Sequence, residues 1–283
     1  MIGAKESLIL IKKKHKTMFS SFIPPWFLKN GVAMTLYSVW GASRRWKTST
    51  IHPEPTYQEH IFQGANGVPI FGWIAIPEKP KATLVGTYGI TGDLDNQWFL
   101  RLLGRKAFAQ GYAVVLFDWR AHGKTAELSP TLTSDGLYEG EDFVRIAAQA
   151  KQMGCPSPFW LTGYSLGGQL ALWGIEAAQM LSSTVGLMDS DIAGGAVICP
   201  SLDSERSLTY LVAHPYGKYM EKAISRQLKK LAWNLHHFHP QEIDPEAIER
   251  ADSIWGFDQE LVISRLGFAS VSDYYRASSA LTL

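Results

Sequence analysis

Phe159-Trp160-Leu161-Thr162-Gly163-Tyr164-Ser165-Leu166-Gly167-Gly168 is the stretch that decides the fold. An apolar run of strand character enters a glycine-serine-glycine turn, and Leu166 to Leu181 continues with helical spacing. Gly163 to Gly167 fits G-x-S-x-G in the strand–turn–helix context the motif requires. Side chains two residues before or after the serine would collide with so sharp a turn, which accounts for the glycines. The Ser165 hydroxyl is then lifted above a helix N-terminus, where partial positive charge favours a developing oxyanion. Ser165 is the candidate nucleophile, and the N–H of Leu166 is the first expected oxyanion donor. The competing reading is a glycine-rich turn that does no chemistry.

Upstream of this turn, strand and helix patterns alternate. Tyr57–Phe62 and Pro69–Ile76 read as strands joined across an Asn-Gly pair, a hairpin signal. Thr83–Thr87 and Ala113–Phe117 are short apolar strands, and Asn96–Gln110 and Tyr138–Gln152 have helical spacing. Gly195–Cys199 is a further strand. This alternation implies a parallel sheet with helices on both faces, and ligands of such sheets sit at the carboxyl ends of the strands. The loop after Thr87, Tyr88-Gly89-Ile90-Thr91-Gly92, is the expected source of the second oxyanion donor, the N–H of Ile90. Asp118-Trp119-Arg120-Ala121-His122-Gly123-Lys124-Thr125 follows the next strand. It ends like a phosphate-binding loop, but Asp118 stands where that motif needs its first glycine. Loop bracing by Asp118, Arg120 and His122 is the better reading. Asp189 and Asp191 read as surface loop at the amino end of a strand. After Ser204 the strand signal fades into helical patterns over 207–213, 218–235 and 245–256, which suit a helical cap.

Composition bounds the function. The 283 residues carry 46% hydrophobic and 19% charged side chains, enough for a sizeable core. The net charge of +1 gives no reason to expect nucleic acid. Two cysteines, Cys155 and Cys199, exclude a disulfide scaffold and point to a reducing, cytoplasmic setting. The uncharged stretch 153–175 is broken by prolines and glycines and does not read as a membrane span. Leu8-Ile9-Leu10-Ile11 precedes Lys12-Lys13-Lys14-His15-Lys16, the reverse of a secretory signal. It reads as a frayed tail or as residues ahead of a start at Met18. The sharper alternative is a weak contact of the basic run with anionic lipid.

Together these pieces resemble the α/β-hydrolase superfamily, and within it the YheT-like esterase branch, related to plant embryogenesis-associated hydrolases. The resemblance rests on Pro24-Pro25-Trp26-Phe27-Leu28-Lys29-Asn30-Gly31, on the 88–92, 118–123 and 163–168 stretches, and on Phe257-Asp258. Gly267-Phe268 and Asp273-Tyr274-Tyr275-Arg276-Ala277-Ser278-Ser279 complete it. It implies a serine hydrolase acting on carboxylic esters, including lipid or other acyl esters, with a triad in the order Ser, acid, His. The substrate partner is thus a small-molecule or lipid ester, and no cofactor or metal is implied. In similar proteins the acid and histidine follow the Tyr-Tyr-Arg segment on two further strands. The expectation is an α/β-hydrolase fold with a helical cap whose C-terminal strands are missing from this chain. The expected organisation is a tail and lead-in helix over 1–50, the core over 51–203, and the cap with the start of a truncated core over 204–283. Asp203 with a later histidine is a weaker triad, and His236-His237-Phe238-His239 reads as cap packing rather than a metal site. A non-catalytic binding protein or decayed gene product on the same scaffold is the alternative.

Overall fold

The computed structural model describes residues 23–283, so the basic run at Lys12 to Lys16 lies outside the described residues. The chain forms two units, one ending at Arg45 and one spanning Trp46–Leu283. In the first, the Asn30 side chain caps helix α1 (Gly31–Leu36), accepting from the Ala33 N–H at 2.8 Å. A wider helical turn, Tyr37–Ala42, follows, where Ser43 N–H reaches back to Ser38. The lead-in helix expected in this segment is therefore short and passes into the wider turn. Trp46 instead belongs to the second unit, buried beneath the guanidinium groups of Arg101 and Arg105.

The second unit is built on six strands: β1 (Gln58–Gln63), β2 (Pro69–Ala75), β3 (Ala82–Thr87), β4 (Tyr112–Phe117), β5 (Phe159–Tyr164) and β6 (Ile192–Ile198). Their order is β1-β2-β4-β3-β5-β6; β2 is antiparallel to both neighbours and the other pairs are parallel. Helices α2 (Trp98–Ala109), α3 (Thr125–Leu128), α4 (Glu139–Gln152) and α5 (Leu166–Leu181) connect them. The chain steps one way along the sheet from β3 to β4 and the other way from β4 to β5. Right-handed crossovers then place α2 on one face and α4 on the other. α5 joins α4, because β5 to β6 continues in the same direction. Covered on both faces, β4 carries the continuous run Ala113-Val114-Val115-Leu116-Phe117, all buried. α4 and α5 approach closely through Gly140 and Gly174. A Cβ on Gly140 would sit 2.6 Å from the Trp173 carbonyl oxygen.

The expected strands and helices recur to within a few residues, with two corrections. β6 begins at Ile192, ahead of Gly195, as an exposed edge strand in which Gly194 weakens the apolar signal. The helix expected over 245–256 is two helices, because the Ser253 side chain caps a new start by accepting from Gly256 N–H at 2.9 Å. Asp191 also departs from the surface-loop reading. It is buried, accepting from Lys151 Nζ at 2.6 Å and Ser157 Oγ at 2.5 Å.

After β6 come α6 (Ser204–Ala213), α7 (Gly217–Phe238), α8 (Pro245–Arg250), α9 (Ile254–Phe257), α10 (Ile263–Leu266) and α11 (Val271–Ser278). They share a second apolar core, in which Leu228, Ala232 and Leu235 of α7 meet Ile248, Phe257 and Tyr274. Among the described residues, no helix is long and apolar enough to cross a membrane.

A buried ion pair fastens the loop after β4 to this frame. Arg120 Nε and Nη2 donate to the two Asp142 oxygens at 2.7 and 2.9 Å, and Arg120 Nη2 donates to the Ala65 carbonyl at 3.0 Å. Asp142 Oδ1 accepts in turn from Ala65 N–H at 2.7 Å. Removing one partner strands the other charge in the core. Arg120→Ala should lower the unfolding free energy by about 3–5 kcal/mol in urea denaturation. A loss below about 1 kcal/mol would contradict this role.

Candidate active site

Three backbone turns converge at the carboxyl ends of β3, β4 and β5. Ser165 holds φ 52° and ψ −125°, a conformation that costs a non-glycine residue strain and persists only where the surroundings impose it. Its N–H donates to the Ile198 carbonyl at 3.0 Å, and its own carbonyl accepts from Gly168 N–H at 2.9 Å. The flanking glycines are required by contact. A Cβ on Gly163 would be driven into the Gly167 carbonyl, and one on Gly167 into the Tyr88 carbonyl. A Cβ on Gly89 would come within 2.9 Å of the Ser165 Cβ. The turn after β3 therefore lies directly against the serine.

That turn is held by the loop after β4. Asp118 is buried, and its carboxylate accepts from the Tyr88 hydroxyl, from Leu94 N–H at 2.9 Å and from Lys124 N–H at 2.9 Å. Burial pushes its pKa up to about 6, although these three hydrogen bonds favour the charged form. His122 Nδ1 lies 2.8 Å from the Arg120 carbonyl, so it carries the proton and donates. Nε2 then accepts from Thr91 N–H at 3.0 Å. Both ring nitrogens are engaged, the ring stacks on Trp119 with centroids 3.7 Å apart, and burial pushes its pKa down to about 4. A neutral imidazole with no free lone pair braces the turn and cannot take a proton from Ser165.

Ser165, Leu166 and Ile90, the three expected site residues, border one cavity of about 360 Å³. The Ser165 side chain is exposed to it and makes no hydrogen bond among the described residues. Neither Ile90 N–H nor Leu166 N–H has a backbone acceptor there. α6 and α7 wall the cavity with Leu208, Leu211, Leu228 and Leu231.

Asp203 and the later histidines do not join this site. Asp203 caps α6, accepting from Arg206 N–H at 2.9 Å. His214 Nδ1 accepts from Tyr216 N–H at 3.2 Å. The rings of His236 and His239 lie against the carbonyls of Ile243 and Ala126, at 2.7 and 3.0 Å. Among the described residues, no group of three or more His, Cys, Asp or Glu could hold a metal ion.

Two carboxylates on the cavity wall were not singled out by the sequence. Asp135 and Asp258 are buried and have no ion-pair partner among the described residues. Burial, and then the charge of Glu139, raise the Asp135 pKa to about 7. Burial, and then Asp135 itself, hold Asp258 well above the usual carboxylate range, while the Tyr275 hydroxyl donates to it. Phe257-Asp258 belongs to the stretches that carry the resemblance, but nothing in that pair signals burial beside Asp135.

The sequence pattern of the alpha/beta hydrolase family matches residues 89–277, which spans all three turns. The chain belongs to the alpha/beta hydrolase family. A Synechocystis sp. relative of this family member, named "Putative esterase slr0264", is 58% identical over 270 residues, 93% of this chain and 73% of its own. Mouse "Phospholipase ABHD3" is 22% identical over 81% of this chain and 55% of its own. Among solved structures, a Pyrococcus furiosus esterase, Pf2001, superposes with a TM-score of 0.47 at 16% identity, over 63% of this chain and 67% of its own.

The raised Asp135 pKa fixes a sign. Folding stabilises its protonated form, so its contribution is full below the ordinary value of 3.8 and is lost as pH rises through about 7. Asp135 also holds a positive φ of 50°, which asparagine tolerates. Asp135→Asn should raise Tm by several degrees at pH 8 and change it little at pH 4. A Tm gain equal at both pH values would contradict an ionisable, desolvated Asp135.

Proposed function

We propose that this hydrolase cleaves carboxylic esters, with lipid or other acyl esters as the substrate class and Ser165 as the nucleophile. The observation that carries the reading is an unbonded serine hydroxyl on a strained strand–helix turn, facing a cavity beside two N–H groups without backbone acceptors. Ser165 Oγ attacks the acyl carbon and its proton passes to a base. The carbonyl oxygen becomes an oxyanion held by the N–H groups of Ile90 and Leu166. The tetrahedral centre collapses, the C–O bond to the alcohol breaks, and the alcohol leaves with the proton. Water then hydrolyses the acyl-serine ester, releasing the acid and restoring the hydroxyl.

In this reading the base is not among the described residues, because His122 is fully engaged and the other described histidines lie off the cavity wall. The apolar leucines of α6 and α7 favour an acyl chain over a charged group. The names of the Synechocystis and mouse relatives agree with an ester substrate class.

A p-nitrophenyl ester series from acetate to decanoate, run on the native full-length protein with its general base present, tests this. The kcat/KM should rise from acetate into the medium chain lengths, and Ser165→Ala should lower kcat by at least about 10³-fold with the fold intact. Undiminished hydrolysis by Ser165→Ala would overturn the assignment.

A further inference from the structure

We propose that the corner formed by α6 and the first half of α7 docks on an anionic lipid bilayer. Tyr219, Lys222, Arg226, Lys230 and Trp233 are spaced by three or four residues and fall on one outward stripe of α7, roughly 21 Å long. Lys222, Arg226 and Lys230 make no ion pair among the described residues. The acid of this helix, Glu221, is turned away from them, accepting from Ser225 Oγ at 2.7 Å and from Ile254 N–H at 2.9 Å. Glu205 of α6 likewise accepts from Ser272 Oγ at 2.7 Å. Glu249 of α8 pairs with the neighbouring Lys229 at 2.8 Å, which leaves Lys222, Arg226 and Lys230 as cations with no ion-pair partner of their own among the described residues, as a surface for anionic headgroups requires.

Apolar contact comes from the adjoining corner. Tyr210 is 72% exposed, Tyr216 65%, Tyr219 66% and Val212 53%. Large side chains this exposed and this close together mark an interaction site rather than ordinary surface. Tyrosines beside lysines suit the bilayer interface, where rings enter the headgroup layer and ammonium groups stay hydrated. A nucleic acid or an acidic protein would also use the cations and stack on the tyrosines; the aliphatic Val212 and the apolar cavity that this corner borders favour a lipid surface. The corner also adjoins the cavity, since Ser207, Tyr210 and Leu211 lie on its wall. Passage of an acyl chain from the bilayer into the cavity rests on the ester-hydrolase reading; the docking itself does not.

Co-sedimentation with vesicles separates the two. The whole protein is mixed with vesicles of equal parts phosphatidylglycerol and phosphatidylcholine, or of phosphatidylcholine alone. Binding is expected to the first and to be at least tenfold weaker to the second. The Lys222→Glu/Arg226→Glu/Lys230→Glu variant should lose at least about tenfold of its partitioning, and the corresponding triple Gln variant an intermediate amount. Hydrolysis of p-nitrophenyl acetate should be the same in both as in the wild type. Ser165→Ala protein should bind like the wild type, so a failed esterase reading would leave the docking result standing. Absence of wild-type binding, or equal binding by the charge-reversed protein, would overturn the proposal. So would binding of an acidic polymer such as heparin in preference to the anionic vesicles.

Discussion

The structure depends on a packing constraint among three backbone turns. Gly163, Gly167 and Gly89 bring the ends of β3 and β5 so close that no side chain fits between them. That contact holds Ser165 in its strained conformation, and strain of this kind needs a surround that cannot relax. The surround is supplied by polar groups buried on purpose-built partners. Asp118 ties Tyr88 and Leu94 to the loop after β4, and His122 ties Thr91 to the same loop. Arg120 and Asp142 then anchor that loop to α4 and to the hairpin of β1 and β2.

The same logic separates bracing groups from reactive ones. A buried side chain whose donors and acceptors are all engaged is a positioning element, however suggestive its identity. His122 is such a case: it faces the cavity, yet the Arg120 carbonyl and the Thr91 N–H occupy both nitrogens. The Ser165 hydroxyl is the opposite case, exposed to the cavity and without a hydrogen bond among the described residues. Asp135 and Asp258 lie between these extremes. Asp135 meets the Thr133 hydroxyl at 3.3 Å and lies beside the Tyr274 hydroxyl, Asp258 accepts from the Tyr275 hydroxyl, and neither has a cation partner among the described residues. Burial without a counter-charge raises both carboxyls above the usual carboxylate range, and this marks the cavity wall as a region where stability has been given up.

Much of this was legible in the sequence because it is local. Gly163 to Gly167 states its own geometry, since the steric demand acts within five residues. The strands stood out because burial on both faces leaves continuous apolar runs such as Ala113 to Phe117. The bracing of Asp118 and His122 was legible from their position after a strand, although their partners were not. What stayed hidden depends on tertiary contact. Asp135 and Asp258 meet only after the cap folds over the sheet, and each alone looks like an ordinary turn or helix acid. The start of β6 at Ile192 was obscured because an edge strand is half exposed and Gly194-Gly195 carry no apolar signal. The outward stripe of α7 has the periodicity of any amphipathic helix, and only the inward turn of Glu221 shows its cations to be uncompensated.

The claim on which the functional account stands is that Ser165 is the reacting group. The most direct test is to treat the folded native protein with a fluorophosphonate and map the adduct by peptide mass spectrometry. The account predicts one stoichiometric adduct, on the peptide containing Gly163-Tyr164-Ser165-Leu166-Gly167. An adduct on another residue, or none on protein shown to be folded, would contradict it.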